Sequence, residues 1–196
     1  CSSDLDYSRF AISCRVIPEK RPRDLFKLRD MSYRNLPKSE ADDFIYDIIG
    51  TGTTGEKYYD QVVSMSEHQC GIREKYSGDN LKWFKYLNEY TPIVVSLARI
   101  EALGITPIEA FMCGLPCFCI RHDDSAVSET ILRVSTESED HLGVVYTDPD
   151  GYFIITAIGG IANTEKGFIK MMAWCWMNRP FNRNTIRDHF ILNYTM

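Results

Sequence analysis

No stretch of this sequence approaches the ~20 consecutive apolar residues that a membrane-crossing helix needs, so no transmembrane segment is expected. The opening Cys1-Ser2-Ser3-Asp4 has neither the basic nor the apolar region of a secretory signal, and no initiator methionine stands there. The expectation is a piece of a longer cytoplasmic protein. There is no excess of positive charge either. Lys plus Arg total 22 against 27 acidic residues, a net charge of −5, which argues against a broad basic face for nucleic acid. A small anion is not excluded, because a few focused cations can hold one. The seven cysteines show no regular spacing and no CxxC pair, which suits reduced thiols better than a disulfide framework. Cys113, Cys117, Cys119 and His122 gather in ten residues but lack the second ligand pair of a zinc site. Buried thiols are the expectation. No GxGxxG follows the first apolar run, which disfavours a dinucleotide-binding fingerprint. No repeat, low-complexity tract or linker divides the chain, so residues 1–196 read as one domain.

What is present is an alternation of short apolar runs and amphipathic segments. Phe10–Val16, Phe44–Ile49, Gln61–Met65, Ile93–Val95, Cys117–Ile120 and Val144–Tyr146 read as strands, the last of these closing the series. Arg23–Leu36, Asn80–Tyr90, Thr106–Cys113, Thr164–Met177 and a terminal segment from Thr185 to about Asn193 carry helical spacing, with a short helical piece at Glu56–Asp60. Trp174, Trp176 and Phe181 are read as packing residues. Strands alternating with helices imply an α/β fold, a Rossmann-like doubly wound parallel sheet with helices on both faces. In such folds ligands sit beyond the carboxyl ends of the strands, so the loops there are the places to look.

Three loops hold the informative residues. Arg15 and Lys20 leave the first strand as a pair of cations suited to a pyrophosphate. Gly50-Thr51-Gly52 follows the second strand, where glycines allow a tight turn and close backbone approach to a ligand. In the third, Gly104, Ile105 and Thr106 bring backbone N–H groups to a helix start, a natural phosphate seat, and Pro107 fits the first turn. Glu101 precedes that seat and Glu109 lies a turn inside the helix. Two carboxylates would repel a phosphate but are well suited to accept hydrogen bonds from sugar hydroxyls. The aspartate pairs at 4/6, 123/124 and 148/150 fall in expected loops and are read as turn residues, with no metal site.

The segment EALGITPIEAFMCGLPCF, with two acids separated by seven residues ahead of Gly-Leu-Pro, resembles the hallmark of family-four retaining glycosyltransferases (glycosyl transferases group 1). RVIPEKRP is similar to that family's Arg-x4-Lys, and DDSAVSETI to its later acidic stretch, with Glu129 at the matching acid. Ala102, Ser13-Cys14 and Asp123-Asp124-Ser125 depart from the family's usual glycines and apolar residues. The resemblance implies the C-terminal, donor-binding half of a GT-B fold, with a separate N-terminal domain holding a glycan, lipid or protein acceptor. It implies a UDP- or GDP-linked sugar as donor substrate and no cofactor. Arg15 and Lys20 would hold the donor diphosphate, Glu101 the sugar hydroxyls, the backbone at Gly104, Ile105 and Thr106 the phosphate and sugar, and Glu109 the ribose hydroxyls. Any membrane association would come through the other half. The alternatives are a non-catalytic nucleotide-sugar-binding module or partner subunit, and a GT-B relative with epimerase or phosphorylase chemistry.

Overall fold

The computed structural model describes residues 5–51, 55–65, 70–75, 80–102, 104–132, 142–148 and 151–195. The chain begins with β1 (Asp6–Arg15), a 3-10 turn at Pro18–Lys20, α1 (Asp24–Asn35), α2 (Lys38–Ala41) and β2 (Ile45–Thr51). It continues through α3 (Lys57–Ser64), β3 (Cys70–Lys75), α4 (Asn80–Tyr90), β4 (Pro92–Ser96), α5 (Ile105–Met112), β5 (Cys117–Ile120) and α6 (Val127–Leu132). A hairpin of β6 (Leu142–Asp148) and β7 (Gly151–Thr156) leads to β8 (Gly159–Ala162), α7 (Glu165–Asn178) and α8 (Arg183–Tyr194).

The strands form one sheet in the order β3-β2-β1-β4-β5-β8-β7-β6. From β3 to β8 every pairing is parallel, and β7 and β6 extend the β8 edge antiparallel. The doubly wound reading therefore holds for six strands, with a hairpin added that local sequence did not suggest. The chain starts in the middle of the sheet at β1, builds outward to β3, then crosses back to β4 on the other side of β1. Where neighbouring connections part in opposite directions, between β1 and β4, the fold leaves a crevice.

Successive strand residues face opposite ways, and β1 shows it. Phe10 points into an aromatic cluster with Phe44, Tyr46 and Phe118, which Phe168 and Trp176 of α7 cover. Arg9, on the other face, meets Asp47 of β2, and Asp47 also accepts a hydrogen bond from Tyr86 of α4. Phe181, in the turn before α8, packs on Phe118, and Trp174 on Phe153, so the aromatic group at the C-terminal end serves the core.

Two readings from local pattern need correction. Gln61–Met65 is not a strand but the end of α3, whose buried Tyr59 and Val62 stand three apart on one helical face. The third strand is Cys70–Lys75. Val144–Tyr146 lies within β6 but is not the last strand along the chain, because β7 and β8 follow it and pair back so that β6 forms the sheet edge. The four-residue β8, Gly-Gly-Ile-Ala, is buried throughout and too short for any alternation to register. No helix among the described residues is long and apolar enough to cross a membrane.

Candidate functional site

A cavity of about 220 Å³ opens at the carboxyl ends of β1 and β4, the point where the connections diverge. Arg15, Lys20, Glu101, Ile105 and Thr106 all line it, together with Ser13 and Cys14. Residues from two of the three singled-out loops, the one after β1 and the one between β4 and α5, thus converge on one place, whereas no residue of the Gly50-Thr51-Gly52 loop lines it.

Lys20 is brought there by the 3-10 turn, which starts with Pro18 after an extended Ile17 and closes with the Arg21 N–H bonded to the Pro18 carbonyl. Its ammonium reaches across to the Glu101 carboxylate, and the two side chains are ion-paired and only partly exposed. Glu101 is held from behind. Its N–H donates to the Asp124 carbonyl at 3.3 Å and its carbonyl accepts from the Ala126 N–H at 2.8 Å, a parallel bridge to the loop after β5. That tie makes the segment 122–126 part of the site's support, a role invisible in its own sequence. Glu129 is exposed on α6 and is not among the residues lining the cavity.

The α5 start forms the opposite wall. Gly104 stands at φ 62°, a left-handed conformation that favours glycine, and no side chain caps the helix there. The first-turn N–H groups of such a helix have no partner within it and carry the positive end of its dipole. The Thr106 hydroxyl donates to the Ser13 carbonyl at 3.3 Å, which seats the helix start against the end of β1. Gly50 has a packing reason beside this exit. A Cβ there would lie 2.6 Å from the Cys14 carbonyl oxygen and 2.9 Å from Val16 Cγ2, so only glycine allows β2 this close to β1. Gly52 lies outside the described residues.

Glu109 sits one turn further into α5, away from the cavity-lining set, and accepts a hydrogen bond from the Trp83 indole N–H at 3.0 Å. Burial raises its pKa above the ordinary value of 4.5, while that donated N–H pulls it back. Trp83 lies in the helix expected at Asn80–Tyr90 but was not singled out from sequence; nothing local marks it as the partner of an acid 26 positions away. Cys14 lines the cavity, but burial pushes its thiol up to about 12, which removes it as a nucleophile near neutrality. The buried Cys117 and Cys119 are likewise pushed up by burial. Among the described residues no group of three or more His, Cys, Asp or Glu is placed to hold a metal ion.

Neither a family model nor a curated protein sequence matches the chain. Its fold does match solved structures. TarM aligns with all of this chain over 34% of its own length, at 13% identity and a TM-score of 0.64. The C-terminal domain of a glycosyl transferase group 1 family protein (LpcC) from Francisella tularensis aligns over 98% of this chain and 89% of its own, at 11% identity and 0.60. The apo form of the lipopolysaccharide outer core galactosyltransferase WaaB aligns over 96% and 46%, at 16% identity and 0.61. This chain thus spans about a third of TarM and under half of WaaB, but matches the isolated C-terminal domain nearly end to end. At such identities the likeness establishes the fold, the Rossmann-like C-terminal domain of GT-B glycosyltransferases.

Proposed function

We propose that this chain is the donor-binding half of a retaining glycosyltransferase, holding a UDP- or GDP-linked sugar for transfer to an acceptor on a second domain. The observation that carries the reading is the convergence of Arg15, Lys20, Glu101 and the uncapped start of α5 on one cavity at the sheet's switch point. Two cations and a helix N-terminus are chemistry for a diphosphate. A carboxylate across from them would repel phosphate but accepts hydrogen bonds from a sugar.

In this reading Arg15, Lys20 and the amides near Gly104 stabilise the departing diphosphate, where negative charge grows as the glycosidic bond breaks. Glu101 positions the sugar. Lys20 and Glu101 neutralise one another directly, and a bound donor would divide them, the ammonium going to phosphate and the carboxylate to hydroxyls. Glu109, with one oxygen held by Trp83, offers the other to ribose hydroxyls. The Cys14 thiol takes no part.

Titrating the chain with UDP and with GDP, by calorimetry and by melting temperature, tests this. One of the two should bind, and saturation at 100 times Kd should add about 2.7 kcal/mol of stability. Lys20→Ala should weaken that binding by roughly tenfold or more, the scale of a lost charge-assisted contact to phosphate. Equal affinity in Lys20→Ala and the unaltered chain would overturn the assignment.

A further inference from the structure

A second cavity, of about 310 Å³, is lined by Pro18, Arg21, Arg23, Asp24, Tyr58 and Arg99. It draws on the same two loops as the donor cavity: Pro18 and Arg21 flank Lys20, and Arg99 stands two residues before Glu101. We infer that this arginine-lined cavity receives an oxyanion carried by the substrate itself, a carboxylate or a phosphate ester, beside the reacting sugar. The inference rests on the donor reading above for the identity of the neighbouring ligand.

Three guanidinium groups converge on this cavity against one carboxylate, in a chain whose net charge is −5. Like charges gathered at one place raise the energy of the fold unless an anion offsets them. Arg21 adds a second sign of selection for function. It adopts φ 54°, ψ 36°, a left-handed conformation that costs an L-residue with a Cβ on the order of 1 kcal/mol. Such strain persists where the surroundings hold it in place, and here they do. The Arg21 guanidinium is clasped by Asp24, and it meets His122 Nε2 at 3.0 Å. Burial, then Arg21 and Arg99, hold His122 below its ordinary 6.5, so the imidazole is neutral at pH 7 and adds no charge of its own.

Arg23 and Arg99 are the open part of the set. Both are exposed, and among the described residues no ion pair engages either one. Their planar donor forks match carboxylate and phosphate oxygens two at a time. Arg21 therefore serves as the fixed floor of the subsite, and Arg23 and Arg99 as the arms that close on the anion. An uncharged sugar on an uncharged acceptor would leave Arg23 and Arg99 with no ion-pair partner among the described residues, while Arg21 keeps Asp24 and has Glu165 at 3.9 Å.

Two sources of the anion can be separated with this chain. One arm compares UDP-glucuronate with UDP-glucose; the other titrates glycerol 1-phosphate into protein saturated with UDP. Each is repeated on an Arg23→Gln/Arg99→Gln variant, whose exposed side chains can change without disturbing the core, with a melting curve to check that it folds. The expected result is that at least one anionic probe loses about fivefold or more in affinity in the variant while UDP changes by less than about twofold. A response to UDP-glucuronate puts the anion on the donor sugar, and a response to glycerol 1-phosphate puts it on the acceptor. If UDP binds and neither anionic probe depends on the arginines, the subsite is overturned and the donor reading stands. If neither UDP nor GDP binds, the donor reading falls. Arginine-dependent binding of glycerol 1-phosphate would then still support the subsite, and its absence would remove both.

Discussion

At Glu109 two influences oppose each other: burial disfavours the anion and the Trp83 N–H favours it, with burial the larger. The sign of the consequence follows from proton binding. The folded state holds this proton above pH 4.5, where an unfolded chain releases it, so the stability it contributes is complete below that pH and is lost as pH rises through the folded value. Glu109→Gln should therefore raise the melting temperature at pH 7 relative to the unaltered chain, with the gain vanishing below about pH 4. If the carboxylate also reads ribose, the same variant should bind nucleotide more weakly. Gly104 allows a different test. A methyl group there would sit at φ 62° and 3.3 Å from the Thr130 hydroxyl oxygen, so Gly104→Ala should cost about 1–2 kcal/mol in denaturant unfolding. It should also weaken nucleotide binding, because the α5 start would shift. Both acids were identifiable as a pair from spacing. Their different surroundings were not, since the ion pair of Glu101 with Lys20 and the indole bond of Glu109 come from partners 81 and 26 residues away.

Between elements, the tie among β1, β2 and α4 is ionic. Asp47 is fully buried, its carboxylate meets Arg9 at 2.5 Å and accepts from the Tyr86 hydroxyl at 2.6 Å, and Arg9 in turn lies over the Tyr90 ring at 4.8 Å. Removing one partner of a buried pair leaves the other charged and unsolvated. Asp47→Ala should destabilise the fold by about 3–5 kcal/mol, and Tyr86→Phe by about 1–2 kcal/mol, measured by urea unfolding. A loss under about 1 kcal/mol for Asp47→Ala would mean that water reaches Arg9 freely. Helices were the more legible elements. Asn80–Tyr90 matches its expected range, and α7 begins one residue after the Thr164 that opened its expected range, because Thr164 caps it by accepting from the Gly167 N–H at 3.0 Å. The strand expected at Gln61–Met65 failed because a few apolar residues at the end of a helix carry no strand-specific period.

For the whole molecule, the decisive property is the strand order. Starting at the middle of the sheet and winding both ways puts the exits of β1 and β4 side by side, though 80 residues separate them along the chain. Under the proposed function the chain alone should bind nucleotide yet give no glycosyl transfer, and adding the acceptor-binding half should restore turnover; a radiolabelled-donor assay on both preparations checks this. Transfer by the chain alone would contradict it. Periods of two and of 3.6 residues, with glycine and proline at the ends, were sufficient for an α/β chain with loops worth inspecting, because these are short-range properties of the backbone. The Glu-x7-Glu and Arg-x4-Lys spacings were likewise local. Which loops meet, how Glu101 is braced by the turn at 122–126, why Trp83 faces Glu109, and that three arginines share a cavity were settled only by packing across the sheet. Those contacts join residues distant in the chain, and no local pattern encodes which distant surface a side chain will find.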